Sequence, residues 1–390
     1  MSEPRLSLPN AGPHRPAARW RAASALALAA TLAGCGAVDY YAQSVGGHFS
    51  LLGAARPVAE WIADPATPPA LRERLQLSQR IRNYAVTTLA LPENASYRRY
   101  ADLRRPAAVW NVVAAPELGL ELKRWCYPVV GCVGYRGYFD RSEADREAAA
   151  LRAEGLEASV YAVPAYSTLG LLPGSYFADP LLSTFIALPE GELARLIFHE
   201  LAHQVAYASD DTVFNESFAT AVEQIGAQRW LAEEAGAAAR EAYAVYDARR
   251  RRFRELTSGY RQRLSALYAG TATDADKRAA KAALYAQLRA DYERVKAQEW
   301  GGYKGYDHWF AGANNAAFGV LAAYNLAVPE FERIHRERGG DFTRFYAEVR
   351  RLAALPASER RSALGLPQPD ALPAAPARPD APTSASAARP

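Results

Sequence analysis

The chain has 390 residues, of which 50% are hydrophobic, 23% charged and 11% aromatic, a globular composition that excludes a disordered or fibrous protein. Its formal charge is +4, from 46 basic and 42 acidic residues. Arg5, Arg15, Arg19 and Arg21 against Glu3 place most of that excess in residues 1–34, so the remainder lacks the basic surplus with which a nucleic-acid protein neutralises phosphates.

The Arg-bearing start is followed by Ala22–Ala33, an uncharged apolar run. It is shorter than the ~20 residues of a permanent membrane helix and has the length of a signal-peptide core. The run ends in Leu32-Ala33-Gly34-Cys35, which resembles the bacterial lipoprotein processing box. That resemblance implies removal of residues 1–34 and a lipid on Cys35; an ordinary secretory signal with a chance cysteine is the alternative. Gly36 stands where an Asp would signal inner-membrane retention. The expected location is therefore the outer membrane of a Gram-negative bacterium, facing the periplasm. The other two cysteines, Cys126 and Cys132, either close a short disulfide loop or stay as reduced thiols.

Val38–Ala63 reads as helical and apolar, and Thr67 is placed to cap a helix from about Pro69 to Leu89. Val109–Val113 and Val133–Phe139 have the β-branched and aromatic content of strands. Ser142–Asp145 opens an Ala-rich helix that Gly155 closes, and Ala158–Val163 reads as another strand. Leu193–Ala208 and Val213–Gln228 read as helices. Residues 230–298 carry apolar steps of three and four on either side of Gly270–Asp274, the pattern of a long helical hairpin. Its run Arg249–Arg252 reads as a solvated face. From residue 366 the chain is Pro/Ala-rich with little to bury, a disordered tail. The expected architecture is α+β and mainly α: one domain over 36–365 with a small β-sheet, a helix pair and the hairpin.

Within the first helix of that pair lies His199-Glu200-Leu201-Ala202-His203, an H-E-x-x-H pattern. A step of four puts both imidazoles on one helix face, where they can ligate one Zn²⁺ while Glu200 reaches its water as general base. Ser209–Thr212 is a turn with Asp211 or Thr212 as N-cap, so the second helix returns antiparallel. Counting ~1.5 Å per residue back from the turn brings Glu216 level with the two histidines. Glu223 overshoots by roughly 10 Å and is a supporting candidate, as are Asn215, Asp210, Asp211 and Thr220. Ser209 occupies the position where an extended zinc motif needs a third histidine, and Met1 is the only methionine, which excludes a methionine-turn site. What remains is a two-His, one-Glu set with an open fourth position. For the developing oxyanion the donor candidates are Tyr166, Tyr303, Tyr306, His308 and Tyr324, and Val163–Gly170 is a candidate edge for an extended peptide.

From Tyr40 to about Leu355 the chain resembles a bacterial lipoprotein family catalogued as predicted zinc aminopeptidases. The blocks that carry the resemblance are Trp125–Phe139, Val163–Gly170, Ile197–Gln204, Asp211–Phe218 and Trp309–Asn315. It implies a zincin-like fold and a metallopeptidase with one zinc ion, a peptide substrate and a membrane held through Cys35. The Gly-x-Met-Glu-Asn motif with which other zinc aminopeptidases hold the substrate amine is absent, since no methionine follows Met1. The residues leave exopeptidase and endopeptidase cleavage as alternatives. A lipoprotein scaffold or binding protein with a non-catalytic zinc site is the reading of a different class.

Overall fold

The computed structural model describes residues 40–127, 131–168, 174–209 and 211–366. The signal segment, Cys35, Asp210, Leu169–Gly170 and the tail beyond Leu366 lie outside them. The elements run α1 (residues 40–53), β1 (Arg56–Pro57), α2 (Val58–Ala63), α3 (Pro69–Thr87), β2 (Arg99–Ala101), β3 (Val109–Pro116), β4 (Trp125–Tyr127), β5 (Gly131–Val133) and β6 (Arg136–Tyr138). They continue with α4 (Arg141–Ala153), β7 (Leu156–Val163), β8 (Leu181–Leu182), α5 (Glu190–Ala202) and α6 (Thr212–Glu233). The remainder is helical: α7 (Ala237–Ala269), α8 (Asp274–Gln298), α9 (Asp307–Ala311), α10 (Asn315–Asn325), α11 (Val328–Glu337), α12 (Phe342–Ala353) and α13 (Ala357–Ala363). The fold is α+β and mainly helical, as the periodicity implies.

Three of the strands make an antiparallel sheet in the order β6-β3-β7, with Asn111 opposite Tyr161 on β7 and Gly137 on β6. Successive β3 side chains point to opposite faces, and both faces are covered. Val112 and Ala114 pack with Ala144, Ala148 and Leu151 of α4, whereas Val113 and Ala115 pack with Ala316 of α10. Asn111 and Tyr161 therefore look toward α10, the side on which α5 and α6 lie.

The main core joins α3, α5, α6, α11 and α12 through Ile81, Leu193, Phe198, Phe218, Phe331 and Phe345, all nearly inaccessible. Gly226 lets α6 approach α5 closely: a Cβ there would meet Phe198 Cδ2 at 2.9 Å and Leu89 Cδ1 at 2.7 Å. A second core lies between α7, α8 and α9, where Phe253, Tyr260, Leu264, Tyr285, Leu288 and Tyr292 meet Trp300 and Phe310.

Several sequence expectations are corrected. α3 begins at Pro69 behind Pro68 with no side-chain cap; buried Thr67 instead accepts from Arg72 through its backbone oxygen at 3.1 Å. The stretch expected as one helix over 38–63, whose first two residues lie outside the described ones, is broken over 54–57, where β1 intervenes, and that expected as one strand over 133–139 is split between β5 and β6. Trp230–Glu233 belong to α6, so the hairpin begins at Ala237. Cys126 and Cys132 stand opposite each other on β4 and β5 and are joined as a disulfide.

Candidate metal centre

α5 carries the H-E-x-x-H residues and ends sooner than its apolar run implies. Ala202 is its last residue and His203 its C-cap. His203 keeps helical angles, φ −57° and ψ −25°, and its N–H still donates to His199 O at 3.3 Å. The i, i+4 relation of the two rings therefore survives the helix end, and the chain is free to turn at once. Asp211 is the N-cap of α6, accepting from Phe214 N at 3.0 Å, and buried Arg360 donates to its other oxygen at 2.8 Å. Asn215 closes the turn by bonding both the N–H and the C=O of Ala208, at 2.8 and 2.9 Å. Asp211 and Asn215 thus hold the turn that returns α6 past α5, and no bond from either reaches a metal-ligand candidate. Thr220 is buried within α6.

That return brings His199, His203 and Glu216 together, with one potential ligand atom from each within 4.8 Å of the others. The two Nε2 atoms are 3.2 Å apart. Glu216 Oε2 lies 3.3 Å from His199 Nε2 and 3.7 Å from His203 Nε2. Bonds of ~2.0–2.1 Å at a tetrahedral angle separate neighbouring donors by about 3.3–3.4 Å, so the triangle has the dimensions of one face of a zinc site. Glu216 Oε2 is buried and lies between both rings without a well-directed hydrogen bond, and the Nδ1 atoms of His199 and His203 are likewise without one among the described residues. A buried carboxylate oxygen left this way costs free energy unless a cation or proton joins the cluster. The donor set fits Zn²⁺.

The charges tell the same story. Burial works against a charge on His199, but Glu216 and Glu223 overcome it and hold the imidazole well above its ordinary range. Burial, joined by repulsion from His199, lowers His203 to about 4 even though Glu216 and Glu223 oppose the shift. The pocket favours one positive charge and resists a second. Glu200, half-buried beside them, is pushed up to about 7 by burial and by Glu216 and Asp179, against the pull of His199.

Glu223, expected to overshoot, reaches the far side of the first ring, with its Oε2 3.1 Å from His199 Nδ1. Its other oxygen takes a hydrogen bond from Arg195, which is buried and one turn before His199 on α5. Arg195 in turn contacts the Tyr243 hydroxyl of α7 at 3.5 Å. Spacing could have found Arg195, since it precedes His199 by four.

Of the five oxyanion candidates only Tyr324 joins the cluster: its ring stacks on His199 at 6.1 Å, and its hydroxyl is near enough to Glu216 to help hold that carboxylate ionised. Tyr166 bonds His48 Nδ1 at 3.0 Å, on the α1 side. Tyr303 and Tyr306 pack around Phe253 and Trp300 in the hairpin core, and His308 is exposed on α9. These three are removed from the site because α9 is recruited by α7 and α8. Val163 ends β7, and residues 164–168 continue without regular structure. Sequence reading missed Tyr135 and Tyr161. Burial and the field of Glu216 raise both hydroxyls, Tyr161 to about 12 despite its bond from Asn111.

A polar network backs the end of α5. Gln204 donates to Ser96 Oγ at 3.1 Å and Asp179 Oδ2 at 3.2 Å. Asp179 also accepts from Ser167 and from the backbone and hydroxyl of Thr168. Fully buried Arg82 fixes the loop bearing Ser96, donating to the carbonyls of Pro92, Asn94 and Ser96.

A family model described as "Putative aminopeptidase" matches residues 39–364, most of the chain, and the protein belongs to that family. No curated protein and no solved structure matches it.

Proposed function

From membership in the aminopeptidase family, we propose that this chain is a zinc-dependent peptidase, anchored as a lipoprotein through Cys35 at the periplasmic face of an outer membrane. The observation that carries the zinc reading is the donor triangle of His199, His203 and Glu216, with edges of 3.2, 3.3 and 3.7 Å. When bound there, zinc supplies Lewis acidity toward a carbonyl oxygen and lowers the pKa of a water.

The chain's own residues divide the remaining work. His199, His203 and Glu216 would hold the ion, and Glu223, backed by Arg195 and 3.1 Å from His199 Nδ1, is placed to set the tautomer and tilt of that ring. The Glu200 carboxylate takes a proton from the attacking water and passes it to the leaving amine. Its raised affinity for that proton suits the task, because an ordinary carboxylate would accept it too reluctantly at neutral pH. Tyr324 is the hydroxyl best placed to turn from Glu216 toward a developing oxyanion. A fold of the zincin type agrees with this helix pair beside a small sheet.

Glu200→Gln tests the reading. The variant should bind zinc as the parent does while hydrolysis of a peptide library falls by about 10²–10⁴. Zinc binding with no cleavage by the parent or the variant would instead support a scaffold with a non-catalytic ion. Comparing free-amino with N-acetylated peptides then separates exopeptidase from endopeptidase cleavage.

A further inference from the structure

α1 is a surface helix without a charged residue: from Tyr40 to Gly53 it contains no Asp, Glu, Lys or Arg. Its inner face is conventional. His48, Leu51 and Leu52 are buried, and Gly47 sits directly on the Phe139 ring, where a Cβ would fall 2.2 Å from ring carbons. The outer face is not. Tyr41, Val45 and Phe49, spaced by four, are 46%, 54% and 48% exposed. Tyr176 extends the strip: it is 47% exposed and packs edge-on to Phe177, whose ring meets Phe49 at 6.4 Å. The Arg99 guanidinium, 5.6 Å from the Tyr176 ring centre, ties the strip together by donating to the carbonyls of Tyr176, Leu52 and Ala55. These four side chains are among only seven large hydrophobic residues exposed on the described residues.

Water is a poor partner for such a strip, and scattered single exposures would need no explanation. An uncharged helix with an exposed apolar face bearing aromatic residues can lie in the interface of a bilayer. The length of chain ahead of it indicates which surface is in reach. Cys35 and Tyr40 are separated by five peptide links, which span at most about 18 Å.

We propose that the outer face of α1 rests on the leaflet that holds the Cys35 lipid, with Tyr41, Val45, Phe49 and Tyr176 at headgroup depth. The inference rests on the lipoprotein reading for its choice of surface. The lipid then tethers the chain, and α1 fixes its orientation, so that the metal centre is presented to the periplasm at a set height rather than swinging on a flexible leash.

The test uses the mature protein on vesicles of phosphatidylethanolamine and phosphatidylglycerol. With Cys35 lipidated and Cys126 bonded to Cys132, Val45→Cys introduces a single free thiol for a fluorophore; Val245→Cys, on exposed α7, serves as the control. Lipid-borne nitroxide should quench the probe at 45 severalfold more than the probe at 245, and aqueous iodide should do the reverse. Equal access of iodide to both positions overturns the proposal. The mass of the mature N-terminal peptide reports the anchor separately. An unlipidated Cys35 removes the lipoprotein reading and with it the choice of surface; a lipidated Cys35 with position 45 in water keeps that reading and overturns the docked helix.

Discussion

Glu223 Oε2 stands 3.1 Å from His199 Nδ1, on the opposite edge of the ring from Glu216. One imidazole is thus held between two carboxylates of a single helix, two turns apart. Glu223→Gln should weaken zinc binding by about 10–100-fold, because the outer carboxylate sets the basicity and orientation of the ligating ring. Competition with a chromophoric chelator measures this without a substrate. The fold should suffer as well, since Arg195 loses its charged partner in a buried position; breaking such a pair costs about 3–5 kcal/mol. A Glu223→Gln protein that matches the parent in both respects would show that the contact does neither job.

The pH dependence has a definite sign. Glu200 accepts a proton only when ionised, and burial with Glu216 and Asp179 raises its value to about 7. A bound dication pulls that value down. Consequently kcat/KM should fall on the acid side with an apparent pKa at or below about 7, and Glu200→Gln should abolish that limb. An unchanged acid limb in the residual activity of the variant would assign the titration to another group.

Gly226 is the close-approach point of the two ligand helices. Gly226→Ala gains helix propensity but drives a methyl group into Phe198 and Leu89. Overpacking of this kind costs about 1–3 kcal/mol. The urea midpoint should drop, and zinc affinity should drop with it, because His199 sits next to Phe198.

Asn315 joins three parts of the molecule. Its side-chain oxygen accepts from the hydroxyls of Tyr268 and Tyr285, at 2.8 and 2.9 Å, and its amide nitrogen donates to the carbonyls of Pro116 and Glu117, at 3.0 and 2.8 Å. The residue is fully buried. Asn315→Leu keeps the volume but takes the acceptor from the hydroxyls of Tyr268 and Tyr285, each worth about 1–3 kcal/mol when left unsatisfied, whereas the carbonyls of Pro116 and Glu117 keep the bonds they receive from Gly119 N and Lys281 Nζ. Thermal unfolding should show a loss of several degrees even though the residue touches no ligand of the site.

Much of this is legible in the chain. The spacing of His199 and His203, the Asp211 cap and the return to Glu216 are local, set by helix pitch and a short turn, and Gly155 takes the left-handed φ of 84° that a helix stop needs. Counting backbone height alone misplaces Glu223, because it neglects the reach of two long side chains toward each other. Tyr303, Tyr306 and His308 lie away from the site because α9 joins the hairpin core, a long-range packing choice that leaves no trace in local periodicity. Tyr135 and Tyr161 come from separate parts of the sheet region and meet the site only once the sheet has assembled, so no spacing announces them. The break between β5 and β6 follows a hairpin closed by the disulfide, and local β-propensity does not register where a strand must stop.

The hairpin of α7 and α8 is rooted by Tyr243 in the core around the candidate metal centre, but from Phe253 onward its buried aromatic residues form a second core, shared with Leu120 and with Phe318 of α10 and braced by polar links such as Asn315, Lys281 with Glu157, and Arg250 with Glu192. Such an arm can open as its own cooperative unit. Amide exchange along Tyr260–Tyr292 should then follow a lower opening free energy than exchange along Leu193–Leu201, so that the arm breathes, or is nicked by a protease, while the ligand helices stay shut.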